Sequence, residues 1–171
     1  MIRPTKAILL IAMLGLAACA NPDRFGAGDG AGGADGAGSA IPGSVDDPTS
    51  PAYFQQAVGD RVFFAVDERA LDAQARSRVD AQVAWLQRNP DYQAVVEGHA
   101  DEQGTREYNL ALGARRANAV MEYMIAQGVS ADRLRFVSYG KERPAEVCSA
   151  ESCYAANRRA VTVLTAGRPT G

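Results

Sequence analysis

Val96-Glu97-Gly98-His99-Ala100-Asp101-Glu102-Gln103-Gly104-Thr105 runs straight into Arg106-Glu107-Tyr108-Asn109-Leu110-Ala111-Leu112-Gly113-Ala114-Arg115-Arg116-Ala117-Asn118-Ala119-Val120. Tyr92 to Gly98, with Val95 and Val96 at its centre, predicts a strand, and Asp101 to Thr105 predicts a polar loop around Gly104. A long helix is expected from Arg106 to Gln127, with Leu110, Ala114, Ala117, Met121 and Met124 spaced for burial. Gly128 stands where a left-handed residue closes a helix. Asp101 thus falls just past a strand end, and Arg116 lies well inside the following helix. A helix that returns against the strand brings both charges toward one shallow pocket. Gly98 and Gly104 permit the tight backbone path this return needs.

Working outward, Arg61 to Val66 reads as another strand, rich in β-branched and aromatic residues. Asp72 is the expected N-cap of a helix whose apolar face carries Leu71, Ala75, Val79, Val83 and Leu86, and Asn89-Pro90-Asp91 ends it. Arg133 to Tyr139 and Arg159 to Thr165 supply two more strands, separated by a cysteine-bearing loop and a short helix near Tyr154. Strands interleaved with helices predict a two-layer α/β (α+β) sandwich: a four-stranded mixed sheet with helices packed on one face. Four short strands fit a doubly wound nucleotide fold poorly. Trp85 and the methionines read as core, and His99 as a structural residue at a strand end.

The N-terminus has a different character. Arg3 and Lys6 precede an apolar run from Ala7 to Leu16, which exits through Leu16-Ala17-Ala18-Cys19. A basic start, a short apolar run and small residues describe a secretory signal, and the run is short for a membrane span. The ending resembles the bacterial lipobox, in which the cysteine is lipidated and becomes the first mature residue. Residues 1–18 are therefore expected as a lipoprotein signal peptide and Cys19 as the lipid anchor. Ala20, rather than an aspartate, favours the outer membrane. Residues 19–51 are rich in glycine, alanine and proline and read as a tether, spanning about 30 Å as coil and up to about 100 Å when pulled straight. Residues 52–171 are expected as the folded domain.

A formal net charge of −2 gives no reason to expect nucleic acid. With Cys19 set aside, Cys148 and Cys153 remain, and an even pair in an exported protein reads as a disulfide. A metal site lacks ligands, because His99 is the sole histidine. An enzyme has equally little to stand on: no Ser-His-Asp set is evident, and Asp101 with Glu102 is too local for a glycosidase pair.

The blocks Val62 to Asp67, Glu97 to Thr105, Asn109 to Val120, Val137 to Pro144 and Tyr154 to Val161, the last holding Asn157-Arg158-Arg159-Ala160, follow one another at workable spacing. Together they resemble the OmpA-like peptidoglycan-binding domain family, most closely its lipoprotein branch, over nearly the whole folded part. The resemblance implies recognition of the diaminopimelate side chain in a peptidoglycan stem peptide, with no cofactor. That side chain ends in an ammonium and a carboxylate on one carbon. Arg116 would pair with the carboxylate and Asp101 would accept from the ammonium. Asp67 would line the pocket, and Phe64, Asn109 and Leu112 would contact the ligand or shape its seat.

The bland alternatives are a turn or cap role for Asp101 and a solvated helix face for Arg116. Two departures from the family pattern stand out: Ala65, where an aspartate is frequent, and the paired cysteines, expected to leave the pocket untouched. Asn157-Arg158 is expected to pin the loop before the last strand. The implied protein partners are homologues of TolB, a periplasmic propeller protein, and of TolA, an inner-membrane protein. A wall-binding lipoprotein without Tol partners is the runner-up, and a wall hydrolase is further off.

Overall fold

The computed structural model describes residues 41–166. The expected signal peptide, Cys19 and most of the expected tether lie outside the described residues. A short helix α1 (Pro51–Tyr53) continues as a wider π turn over Phe54–Gly59, and β1 (Arg61–Phe63) follows. Next come α2 (Ala73–Arg88), β2 (Tyr92–His99) and α3 (Arg106–Ala126). A 3-10 turn (Ala131–Arg133), β3 (Leu134–Gly140), α4 (Glu151–Asn157) and β4 (Arg159–Ala166) complete the order. The sheet runs β1-β4-β2-β3; β4 is antiparallel to both its neighbours, whereas β2 and β3 are parallel. Parallel neighbours need a crossover, and α3 is that crossover.

Each helix forms for a local reason. Asp72 caps α2 by accepting from the Ala75 amide at 2.7 Å, and Thr105 caps α3 by accepting from Tyr108 at 3.2 Å. Gly128, at φ +98°, ends α3 as expected. Val79, Val83, Trp85 and Leu86 of α2 meet Val96, Ala117, Val120 and Met124 in one core. Fully burying such a side chain is worth about 1.5–3 kcal/mol. The end of the expected tether is tied to this core: Pro48 accepts from the Trp85 indole at 2.8 Å, and Ser50 is buried.

Three expectations need correction. The first strand stops at Phe63 instead of Val66. The Phe64 amide still donates to Arg158 at 2.9 Å, but beyond it the chain turns through Asp67 at φ +56°. The carbonyls there serve a buried side chain rather than a ladder.

Leu110, expected in the core, is 47% exposed. The inward stripe of α3 is Asn109, Leu112, Gly113, Arg116, Ala117, Val120 and Met124, so polar residues occupy positions that an apolar count passes over.

Gly98 serves a helix–strand contact rather than a turn. A Cβ there would lie 1.9 Å from the Gly113 carbonyl oxygen, and one on Gly113 would lie 2.4 Å from Ser138 Oγ. Backbone therefore meets backbone where α3 crosses β2, which brings Arg116 down onto the strand end.

Candidate functional site

The site is assembled at one end of the sheet, from the turn after β1, the loop after β2, the first half of α3 and the junction of α4 with β4. A bulge between Gly98 and His99 shifts the register of β2 against β3, so that Ala100 donates to the Gly140 carbonyl at 2.8 Å. Bulges of this kind re-aim the residues that follow them, here Asp101.

Arg116 has no solvent exposure. Its Nε donates to the Glu68 carbonyl at 2.8 Å, Nη1 to His99 at 3.0 Å and Nη2 to Ala65 at 3.0 Å. A guanidinium carries five N–H bonds, so one on each Nη remains. The Phe64 ring centroid lies 5.2 Å from the guanidinium carbon, within cation–π range. Burial pushes the Arg116 pKa down to about 10, against the pull of the Asp101 charge, so the group stays cationic at neutral pH.

Asp101 is 8% exposed, and its carboxylate accepts from the Gln103 amide at 3.2 Å and from Arg158 Nη1 at 3.1 Å. A carboxylate has about four lone-pair positions, so acceptor capacity remains. Arg158 also donates from Nε to the Phe64 carbonyl at 3.2 Å and from Nη2 to Glu151. Burial works against the charge of Arg158, yet its hydrogen bonds to Glu151 and Asp101 hold its pKa above the ordinary value.

The other expected residues fall around this pair. Asp67 accepts from the Tyr108 hydroxyl at 3.0 Å, which ties the turn after β1 to the start of α3. Asn109 is buried and donates to the Gln103 carbonyl at 2.7 Å, which fixes the loop that carries Asp101. Leu112 is buried apart from the main core. Phe64 is buried beneath Arg116.

The geometry differs from the expected shallow pocket: Arg116 is closed over by the Ala65–Glu68 turn, and the ion-pair partner of Asp101 is Arg158. The cysteines, expected to leave the pocket untouched, flank a residue that is linked to it through Arg158. Cys148 and Cys153 are joined, and Glu151 between them contacts Arg158, which contacts Asp101. Asn157 pins its loop as expected, accepting from the Ala145 and Glu146 amides at 2.7 and 3.1 Å.

Sequence reasoning missed Tyr108, Glu151 and the contact from Arg158 to Asp101. One signal was present: two arginines entering a strand that proves interior must find partners, because buried charges are paired. His99 ends β2 with a buried ring whose nitrogens have no hydrogen-bond partner. Burial, followed by the Arg159 and Arg143 charges, lowers its pKa to about 4. Among the described residues no group of three or more His, Cys, Asp or Glu could hold a metal, and no helix is long and apolar enough to cross a membrane.

This fold, with its loops gathered at one sheet end, defines a known class. The sequence profile of the OmpA family matches residues 63–163. The peptidoglycan-associated lipoprotein of Agrobacterium fabrum is 49% identical over 162 residues, covering 95% of this chain and 88% of that one. The protein of the same name from Rhizobium meliloti is 50% identical over 157 residues, covering 92% and 85%. The crystal structure of the peptidoglycan-associated lipoprotein from Burkholderia pseudomallei superposes with a TM-score of 0.63 at 34% identity, over 71% of this chain and 98% of that one. The C-terminal domain of Helicobacter pylori MotB shares the fold, with a TM-score of 0.59 at 22% identity over 62% of this chain and 84% of that one. The chain belongs to the OmpA family, within its branch of peptidoglycan-associated lipoproteins.

Proposed function

We propose that this protein is an outer-membrane lipoprotein that binds peptidoglycan without covalent bonds, through the diaminopimelate of the stem peptide, and so tethers the outer membrane to the wall. It is read as a binding protein rather than an enzyme. Residues 1–18 serve as signal, Cys19 carries the lipid, residues 19–51 reach toward the wall and residues 52–171 grip it, facing the periplasm. Two observations support wall binding: the name borne by relatives near half identity, and a buried carboxylate and guanidinium brought to one end of the sheet with unused hydrogen-bonding capacity. The second carries the chemistry.

A zwitterion on one carbon needs an acceptor and a forked donor at fixed separation. Asp101 accepts from the ammonium. Arg116 takes the carboxylate with the N–H groups that the Ala65 and Glu68 carbonyls release once the Ala65–Glu68 turn lifts, which requires the Asp67–Tyr108 hydrogen bond to yield. Phe64, Asn109 and Leu112 hold the seat in shape. A wall with lysine in place of diaminopimelate lacks the second carboxylate, so it leaves Arg116 unmatched and is discriminated against.

The test is equilibrium binding of the purified protein to both wall types, with discrimination of at least about thirtyfold expected, from roughly 2 kcal/mol or more for the lost ion contact. The proposed protein partners are homologues of TolB and TolA, which would place the chain in the system that draws the outer membrane inward at division. Retention of a TolB homologue by the immobilised protein supports this. Its loss, with wall binding intact, leaves a wall-binding lipoprotein without Tol partners.

A further inference from the structure

Asp101 has a neighbour that reaches it from the junction of α4 with β4. Arg158 is the C-cap of α4 and is 5% exposed; it donates to Asp101 through Nη1 and to Glu151 through Nη2. The three side chains form one line, two carboxylates on either side of a guanidinium, with a formal sum of −1. Without Glu151 the sum is zero, and the guanidinium is left to Asp101 alone. An incoming ammonium then meets a carboxylate whose charge is matched by Arg158, and it binds less well.

What keeps Glu151 in line is unusual for a helix start. Helix α4 has seven residues and begins at Glu151 after Ala150, which offers no side-chain cap. A helix of that length is marginal by itself, and an alanine at the cap position leaves its first amides unserved by a side chain. The bridge between Cys148 and Cys153 spans this uncapped start, with Glu151 inside the closed loop. Glu151 itself is 67% exposed, so packing does little to hold it. The covalent tie closes the chain around this start and restricts the backbone that carries Glu151.

We infer that the Cys148–Cys153 bridge, Glu151 and Arg158 are a positioning relay for Asp101, which sets the strength of wall binding from the α4 end of the site. The inference rests on the reading of Asp101 as the acceptor for the diaminopimelate ammonium. Glu151 acts by its charge and the bridge by holding that charge in place. The two therefore form one pathway rather than two separate contributions.

The test compares the full-length protein with Glu151→Gln, with the double Cys148→Ser/Cys153→Ser variant, with all three changes together, and with Asp101→Asn. Binding to purified diaminopimelate-type sacculi is measured by sedimentation, and thermal unfolding is followed in parallel. Glutamine keeps the size and an acceptor oxygen while removing the charge, so a merely structural role for Glu151 leaves binding where it was. The relay predicts that Glu151→Gln and the bridgeless variant each bind about three- to tenfold more weakly. The combined variant should be no weaker than the weaker of the two, and the unfolding temperature of Glu151→Gln should be unchanged. Glu151→Gln should add nothing in an Asp101→Asn background. Full-strength binding by Glu151→Gln, or additive losses in the combined variant, overturns the relay. If Asp101→Asn alone binds as the wild type does, the wall-site reading falls first and the relay falls with it. If Asp101→Asn loses binding while Glu151→Gln does not, only the relay is lost.

Discussion

Arg116 and Arg158 are both buried and both within electrostatic reach of Asp101, yet they are held by different kinds of partner. Arg116 is pinned by three main-chain carbonyls, two from the turn after β1 and one from the end of β2, while Arg158 is shared between two carboxylates and one carbonyl. Carbonyl partners come with the fold, and no side-chain substitution at Ala65, Glu68 or His99 removes them. Carboxylate partners can be changed one at a time. The helix that carries Arg116 is therefore rigidly seated and coupled to folding, while the Ala65–Glu68 turn above it is the part proposed to lift for the ligand; the Arg158 side is adjustable with the fold intact.

The largest expected effect attacks the contact that delivers Arg116 to its carbonyls. Gly98→Ala forces a Cβ to within 1.9 Å of the Gly113 oxygen, so α3 must lift from β2. A loss of upwards of about 4 kcal/mol in urea unfolding is expected. A loss under about 1 kcal/mol would mean that α3 can slide at little cost and that the helix carrying Arg116 is not rigidly seated. Next in size, Arg116→Met leaves three buried carbonyls without their donor and should cost about 3 kcal/mol or more in urea unfolding. A loss under about 1 kcal/mol would show that the three carbonyls do not depend on Arg116.

His99 gives Arg116 its carbonyl, while its buried ring feels the charges of Arg159 and Arg143. The folded-state pKa, about 4, lies below the ordinary 6.5. The unfolded chain therefore takes up a proton that the native state refuses as the pH falls. The neutral ring contributes its full stability above about pH 6.5, and that contribution is lost progressively toward about pH 4, by up to about 3 kcal/mol. His99→Phe should flatten this part of the stability–pH curve relative to wild type. An unchanged slope would show that the ring is solvated. The smallest effect is expected at Glu151, where replacement by Gln should move folding stability by less than about 1 kcal/mol, as for other exposed pairs.

The same contrast explains how much of the molecule was legible in the sequence. The order of elements, the caps at Asp72 and the stop at Gly128 could be read because each rests on local chemistry. Within α3 the phase was misread at Leu110, because Asn109 and Arg116 point inward and polar residues carry no weight in an apolar count. The Val62–Asp67 stretch looked like one strand because nothing local shows that carbonyls near its end turn toward a guanidinium distant in sequence. Asp101 and Arg116 entered the site through family resemblance. The Arg158–Asp101 pair joins residues far apart in the chain, so spacing could not reveal it.

Asp101 and Arg116 are proposed to read the diaminopimelate zwitterion together. The most direct test is the equilibrium binding of wild type and Asp101→Asn to diaminopimelate-type and lysine-type walls, with both proteins shown to be folded. The isosteric change keeps an acceptor oxygen for Gln103, and removes the charge together with the oxygen that accepts from Arg158. Wild type should prefer the diaminopimelate wall by at least about thirtyfold, and Asp101→Asn should lose at least about tenfold on that wall. Equal binding of wild type to the two walls, or an Asp101→Asn affinity within about threefold of wild type on the diaminopimelate wall, would contradict the account.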